Sequence, residues 1–182
     1  MNFGVSMPLN NNIVLLDTMV VGGLFAISKI NTVAENQNKY SWDNGIRNLL
    51  NMSGFTESPL IVPTSVCYEL MSMNAEWKKY ILDNTDKIFS YARYPITNSI
   101  LQIAAEYSFK SRVVFSDGKT HKIKSFDPIT AAYSICFNYP IITENQDDFA
   151  ESHFQILAIE PIILNGSNGK YRRLLSLLKP KT

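Results

Sequence analysis

The sequence predicts an α/β fold: a three-layer sandwich with a central, mainly parallel sheet of about five strands flanked by helices. Short apolar runs rich in β-branched residues alternate with stretches of helical periodicity, which is typical of strand–helix–strand units. The chain has 182 residues, of which 46% are hydrophobic, so one domain over residues 1–182 can bury a sizeable core.

Composition narrows the class of protein. The formal net charge of +1 gives no global basic field, so any contact with nucleic acid must come from a local cluster of Lys and Arg. Residues 1–12 lack the pattern of an export signal, and no stretch reaches the roughly 18 apolar residues of a membrane span. We expect a soluble, cytoplasmic protein without membrane contact. Cys67 and Cys136 lie in apolar segments, which indicates buried, reduced thiols.

The first strand is predicted at residues 12–16, directly before Asp17. The helix at residues 20–27 contains Gly22 and Gly23, which permit close packing. A polar, solvated loop is predicted at residues 31–39.

The second helix is predicted to begin at Ser41, a favourable N-cap, and to end at Gly54. A second strand at residues 60–62 leads into a helix capped by Thr64, which carries Glu69. The apolar face of the helix after Ser41 carries Ile46, Leu49 and Leu50.

Residues 88–92 resemble a short strand, and Thr97 caps a helix that extends to about residue 109. The segment 113–123 fits a small hairpin or an irregular loop, and both interpretations stay open.

The Asp127-Pro128 pair predicts a helix start, because Asp is a good N-cap and Pro is tolerated at the first helical position. That helix ends near residues 138–140, and strands follow at 141–143 and within 155–164. After a turn at 165–169, residues 171–178 fit a basic, amphipathic final helix.

Four carboxylates lie at the edges of apolar runs: Asp17, Glu69, Asp127 and Asp148. The working crevice of an open α/β sheet lies outside the carboxyl ends of its strands, where Asp17 and Asp148 are expected. Two carboxylates about 4 Å apart repel by about 4 kcal/mol at an effective dielectric near 20. A converging set must therefore be protonated, paired or bound to a cation.

Each carboxylate taken singly also fits a structural role. Asp17 and Asp148 fit turn residues, Asp127 fits an N-cap, and Glu69 fits a partner for a lysine. Their order along the chain favours a shared site.

The chain resembles the PIN-domain family of metal-dependent ribonucleases and, within it, the VapC-like toxins of toxin–antitoxin pairs. The motifs that carry the resemblance are Leu15-Leu16-Asp17-Thr18, Pro63-Thr64-Ser65-Val66 through Glu69-Leu70, Asp127-Pro128-Ile129-Thr130-Ala131-Ala132 and Ile142-Thr143-Glu144-Asn145-Gln146-Asp147-Asp148-Phe149. They span nearly the whole chain. Met19 and Pro128 depart from the family pattern, as do longer segments at 28–58 and before Asp127.

The resemblance implies an endoribonuclease, the toxin of a type II pair, with Asp17, Glu69, Asp127 and Asp148 as catalytic residues and metal ligands. It also implies that Thr18, Thr143 and Asn145 support these carboxylates or contact phosphate. Asp147 is an alternative to Asp148. Carboxylate oxygens favour Mg²⁺ or Mn²⁺, of which one or two ions would orient and activate a water for attack on an RNA phosphodiester.

The predicted partners are RNA, a cognate antitoxin and a second copy of the chain. Lys119, Lys122 and Lys124, together with His121, are candidates for RNA contact, and a solvated loop is an equal alternative. Lys110 and Arg112 extend this patch. A second basic group comprises Arg172, Arg173, Lys179 and Lys181, which on a terminal helix most often serves solubility. The helices around 46–50 and 100–104 carry apolar positions that suit either a dimer surface or the core.

Two other functions compete with the ribonuclease. Met19 stands where the family usually has a polar residue, which favours a catalytically weak or inactive PIN-like module that binds RNA or protein. An aspartyl-phosphate phosphotransferase also places Asp after the first strand, but its pattern requires a second Asp at position 19.

Overall fold

The computed structural model describes residues 13–24, 33–73, 75, 78–79, 96–111 and 127–181. Its strands are β1 (Val14–Leu16), β2 (Leu60–Ile61), β3 (Ile141–Thr143), β4 (Phe154–Gly166) and β5 (Gly169–Pro180). Its helices are α1 (Thr18–Leu24), α2 (Val33–Met52), α3 (Thr64–Met73), α4 (Asn98–Ser111) and α5 (Asp127–Phe137), with a 3₁₀ turn at Gln146–Asp148. The predicted strand at 88–92 and the segment 113–123 lie outside the described residues.

The α/β class is confirmed, and the described residues form a five-stranded sheet, but a mainly parallel sheet is not confirmed. Four of the five strands match predicted ones, and β5 does not. The sheet order is β2-β1-β3-β5-β4. Strands β2, β1 and β3 are parallel, but β5 pairs antiparallel with β3 and with β4. The two longest strands form an antiparallel hairpin, so the sheet is mixed.

The predicted final helix at 171–178 is wrong, because this segment lies within β5. Leu174, Leu175, Leu177 and Leu178 fit one helical face, but they equally fit a strand that lies between two others. Leu175, Leu177 and Leu178 are buried. Pairing with β3 on one side and β4 on the other overrides the helix propensity of leucine.

The loop predicted at 31–39 is also wrong from Val33 onward, because α2 begins there. The polar face of this first part of α2 holds the tip of the hairpin. The backbone N–H of Asn165 donates to Asn38 Oδ1 at 2.6 Å, and Asn38 Nδ2 donates to the carbonyl of Asn165 at 3.0 Å. Asn38, one of the polar residues that suggested a loop, therefore docks the hairpin against the helix.

Several helix ends match the sequence prediction. The backbone N–H of Ile100 donates to Thr97 Oγ1 at 3.3 Å, so Thr97 caps α4. Gly54 follows α2 with a φ of 75°, a conformation that favours glycine. Helix α5 begins at Asp127 as expected.

Two cores lie on opposite faces of the sheet, and the side chains of β1 alternate between them. Val14 and Leu16 pack with α1, α2 and α3, whereas Ile13 and Leu15 pack with α4 and α5. The apolar positions considered for a dimer surface belong to these cores: Ile46, Leu49, Leu50, Ile100 and Ala104.

Cys67 and Cys136 are both free thiols. Cys67 is buried as predicted, but Cys136 is exposed, so the prediction of a second buried thiol is wrong. Among the described residues, no helix has both the length and the apolar character needed to cross a membrane.

Candidate active site

Asp17 lies at the carboxyl end of β1 and is only 6% exposed. Its backbone N–H donates to the carbonyl of Ile142 at 3.0 Å, which continues the pairing with β3 beyond the end of β1. Oδ1 accepts a hydrogen bond from the backbone N–H of Thr18 at 2.7 Å, and Oδ2 accepts one from Thr143 Oγ1, also at 2.7 Å. Both oxygens of the carboxylate are thus held in place.

Thr143 is the last residue of β3 and is fully buried. The backbone N–H of Asn145 donates to Thr143 Oγ1 at 3.0 Å, so the hydroxyl can donate its own proton to Asp17. The turn after β3 and the end of β1 are connected through this one hydroxyl.

Glu69 reaches the site from α3. Thr18 Oγ1 donates to Glu69 Oε2 at 2.6 Å, which ties the second turn of α3 to the first residue of α1. The predicted inward orientation of Glu69 agrees with this contact, and Thr18 supports two carboxylates at once.

Asp148 lies at the end of the 3₁₀ turn that follows β3. Asn145 Nδ2 donates to Asp148 Oδ2 at 2.7 Å. Tyr107 of α4 holds the same turn, because its hydroxyl donates to the carbonyl of Asp148 at 3.1 Å and accepts from the N–H of Ala150 at 2.7 Å. Asp147, the alternative in the sequence, is exposed.

The charges of these side chains act on one another. The pKa of Asp17 is raised from 3.8 to about 6, chiefly by burial, although the hydrogen bonds from Thr143 and Thr18 oppose the rise. The negative charges of Asp148 and Glu69 contribute to the same rise. Three of the four predicted carboxylates therefore share one electrostatic environment at the end of β1. We call Asp17, Glu69 and Asp148 the carboxylate cluster.

Asp127 is the first residue of α5 and is 5% exposed. Helix α5 packs against α3, the helix of Glu69, where Ser65 and Thr130 share a hydrogen bond of 2.8 Å. Among the described residues, the carboxylates whose charges act on Asp17 are Asp148 and Glu69. Asp127 is thus placed in the core beside the helix that carries Glu69.

The carboxylate cluster is not arranged as a preformed metal cage. Within the described residues, no group of three or more His, Cys, Asp or Glu side chains is spaced to hold a metal ion. Thr18 donates hydrogen bonds to Asp17 and Glu69, and Asn145 donates one to Asp148, so each of the three carboxylates has a donor from the protein.

The sequence has two basic groups, of which the first was considered for RNA contact and the second for solubility. Lys119, His121, Lys122 and Lys124 lie outside the described residues. Arg173 belongs to the second basic group, and the structure places it on β5 rather than on a helix. Its guanidinium forms an ion pair with Glu144, the residue after Thr143.

A groove of about 320 Å³ opens beside Thr18. It lies between α1, α2, α3 and the hairpin, and we call it the hairpin groove. Residues that define it are Thr18, Met19, Trp42, Leu70, Tyr171 and Arg173.

Sequence reasoning missed Tyr107, Trp42 and the position of Arg173. Tyr107 lies 41 residues from Asp148, and nothing in the sequence signals that its hydroxyl holds that turn. The glycines of α1 did give a signal for Trp42, since a Cβ on Gly23 would lie 2.1 Å from Trp42 Cε2. The close packing predicted for the glycines of α1 is found between Gly23 and Trp42.

Comparison of the chain with protein-family models, with curated proteins and with solved structures gave no match.

Proposed function

We propose that this protein is a divalent-metal-dependent endoribonuclease, and that the carboxylate cluster is its active site. One observation carries the proposal: two carboxylates, Glu69 and Asp148, act on the buried charge of Asp17 at the carboxyl end of β1. Gathering three anions costs free energy unless a cation or a proton compensates them. Ionisable groups whose pKa values are shifted in this way are concentrated at the active sites of enzymes.

The donor set of the cluster suits Mg²⁺ or Mn²⁺, because all of its side-chain donors are oxygens. Asp17 and Asp148 are the most direct candidate ligands, with Glu69 and Asp127 completing the site. A bound ion would lower the pKa of a water and stabilise charge on the oxygen that leaves the RNA phosphodiester.

The surrounding residues of the chain have a positioning role in this proposal. Thr143 and the N–H of Thr18 fix the carboxylate plane of Asp17, so its oxygens face a constant direction. The Thr18 hydroxyl orients Glu69, while Tyr107 and Asn145 restrain the turn that carries Asp148. Preorganisation of this kind lowers the cost of ordering the site when substrate binds.

An RNA cleavage assay tests the proposal. The purified chain is incubated with a mixed-sequence single-stranded RNA in Mg²⁺, in Mn²⁺ and in EDTA. We expect cleavage that requires the metal and that Asp17→Asn and Asp148→Asn each reduce by at least a hundredfold, since removal of one ligand or catalytic group typically has effects of about this size. Asp147→Asn is the matched control, because Asp147 is adjacent and exposed.

Two results would contradict the assignment. Cleavage at an unchanged rate in EDTA would exclude the metal, and equal rates for Asp17→Asn and the unmodified chain would exclude the carboxylate cluster. A contaminating nuclease also cleaves RNA, but it does not respond to Asp17→Asn.

The proposal includes the VapC-like toxin role, with an antitoxin as partner. In that role, expression of the unmodified chain in a bacterial host would arrest growth, and expression of the Asp17→Asn chain at the same level would not. If the two cultures grew equally although the active enzyme was present, the toxin role would be rejected and the ribonuclease activity would not.

A non-catalytic PIN-like binding module is the second candidate function. Two observations favour it. Met19 is 39% exposed beside the cluster. Glu69 and Asp148 accept hydrogen bonds from the protein, and the described carboxylates are not spaced as metal ligands. Metal-linked stabilisation distinguishes the two functions. A ribonuclease with this site is stabilised by Mn²⁺, and a binding module is not.

A further inference from the structure

We propose that the hairpin groove binds one nucleobase of a single-stranded RNA, next to the phosphodiester held at the carboxylate cluster. The inference rests on the proposed function for the identity of the ligand. It names a binding site that is separate from the carboxylates and that can be tested without cleavage.

The position of the groove links it to the cluster. Thr18 lines the groove, and the same residue donates hydrogen bonds to Asp17 and Glu69. Glu144 also lines it and follows Thr143, the residue that holds Asp17. A chain of nucleotides that places a phosphate at Asp17 therefore has its neighbouring nucleotide at the mouth of the groove.

The size of the groove suits one nucleotide. Small-molecule sites occupy about 300–1,000 Å³ and are mainly apolar with a few convergent polar groups. The hairpin groove, at about 320 Å³, is at the lower end of that range. Trp42 and Leu70 are buried in the core beside it. The polar residues that line the groove include Thr18, Asn38, Glu144 and Arg173.

An aromatic ring and a cation stand together at the groove. Tyr171 is 41% exposed although it is large and aromatic. The guanidinium carbon of Arg173 lies 5.5 Å from the centroid of the Tyr171 ring. Aromatic rings on which bases stack, with arginine beside them, are the common means by which proteins hold single-stranded nucleic acid.

The ion pair between Arg173 and Glu144 fixes a hydrogen-bond donor at the groove. The guanidinium has five N–H donors, so it can pair with Glu144 and still donate to an acceptor on the edge of a base. The Glu144 side chain is 8% exposed and the Arg173 side chain 45%. Glu144 is therefore held within the protein, and the Arg173 side chain is accessible to a ligand. Met19, which departs from the family pattern, forms part of the same wall and supplies a polarisable thioether.

Nucleotide binding to the Asp17→Asn chain in metal-free buffer tests the inference. The probes are adenosine 5′-monophosphate and ribose 5-phosphate, which has the same sugar phosphate without the base, and calorimetry measures both. We expect the nucleotide to bind at least tenfold more tightly than the sugar phosphate. Equal affinities, or binding of neither probe, would overturn the inference.

A pair of variants locates the base. Tyr171→Ala is expected to weaken nucleotide binding about tenfold, the usual effect of removing one stacked aromatic residue, whereas Tyr171→Phe retains the affinity. Tyr40→Ala is the matched control, because Tyr40 is an exposed tyrosine on α2 that does not line the groove. Equal affinity of Tyr171→Ala and Tyr171→Phe would remove the base from this ring.

The outcome is independent of cleavage. Nucleotide binding that depends on Tyr171, in a chain that fails to cleave RNA, would sustain the groove and reject the ribonuclease. Metal-dependent cleavage without any preference for the base-bearing probe would do the reverse.

Discussion

Thr143 Oγ1 and Asp17 Oδ2 are joined by a buried hydrogen bond of 2.7 Å between the ends of two adjacent parallel strands. The bond connects residues that are 126 positions apart in the chain. It opposes the effect of burial on the pKa of Asp17, so the site keeps a carboxylate that can still ionise near neutral pH.

Removal of the Thr143 hydroxyl is expected to destabilise the fold. Thr143→Val is expected to lower the free energy of unfolding by about 1–3 kcal/mol, because a buried carboxylate oxygen loses its donor. It should also raise the pKa of Asp17. Urea denaturation measures the first effect, and NMR titration of the Asp17 carboxyl measures the second. Thr143→Ser keeps the hydroxyl, and a loss as large in Thr143→Ser as in Thr143→Val would show that the hydrogen bond is not the cause.

The pH dependence of stability follows from the raised pKa of Asp17. Between 3.8 and about 6 the folded chain binds this proton and the unfolded chain releases it, so this contribution to stability is present below 3.8 and is lost as the pH rises through 6. The rise corresponds to roughly 3 kcal/mol. Asp17→Asn is therefore expected to stabilise the fold at pH 7 by up to that amount and to change it little at pH 4.

Unfolding free energies at both pH values measure this difference. Asp43→Asn is a control, because Asp43 is on the surface of α2 and pairs with Arg47. A destabilised Asp17→Asn chain at pH 7 would contradict the assigned direction.

Binding of a metal ion is expected to offset the free energy that the buried, ionised Asp17 costs at pH 7. Mn²⁺ at 100 times its Kd should add about 2.7 kcal/mol to the free energy of unfolding. Asp17→Asn and Asp148→Asn should abolish the gain, and Asp147→Asn should retain it. Thermal unfolding with and without Mn²⁺ measures the gain; no change in the unmodified chain would favour the non-catalytic module.

Tyr107 is predicted to act on the site through the turn of Asp148. Tyr107→Phe removes the hydroxyl that bridges Asp148 and Ala150, at an expected cost of about 1–2 kcal/mol in stability. The affinity for Mn²⁺ should fall as well, because the turn is held less firmly. Tyr40→Phe is the control on an exposed tyrosine. Unaltered Mn²⁺ affinity in Tyr107→Phe would limit Tyr107 to a role in stability.

Gly23 is predicted to be required by the neighbouring indole. A Cβ at this position would lie 2.1 Å from Trp42 Cε2, so Gly23→Ala must displace Trp42 and is expected to cost about 1–3 kcal/mol. In the double variant Gly23→Ala with Trp42→Phe, the smaller ring leaves room for the methyl group. The two changes should then cost less together than the sum of their separate effects, which a double-mutant cycle measures. Additive costs would exclude the steric contact.

Interactions between residues close together in the chain specify the local elements. Apolar runs placed β1 and β3, caps placed the starts of α4 and α5, and Gly54 placed the end of α2. These features depend on neighbouring residues only, so they can be read from the chain. The position of Asp17 at the end of a strand follows from the same reasoning.

The remaining features depend on contacts between distant parts of the chain. The leucines of β5 fit a helix or a buried strand, and pairing with β3 and β4 selected the strand. The polar residues at the start of α2 fit a loop or a helix, and the hydrogen bonds between Asn38 and the hairpin tip favour the helix. Tyr107, Arg173 and Trp42 reach the candidate sites through contacts between residues far apart in sequence. Such contacts depend on the direction of each strand, and a local pattern does not specify that direction.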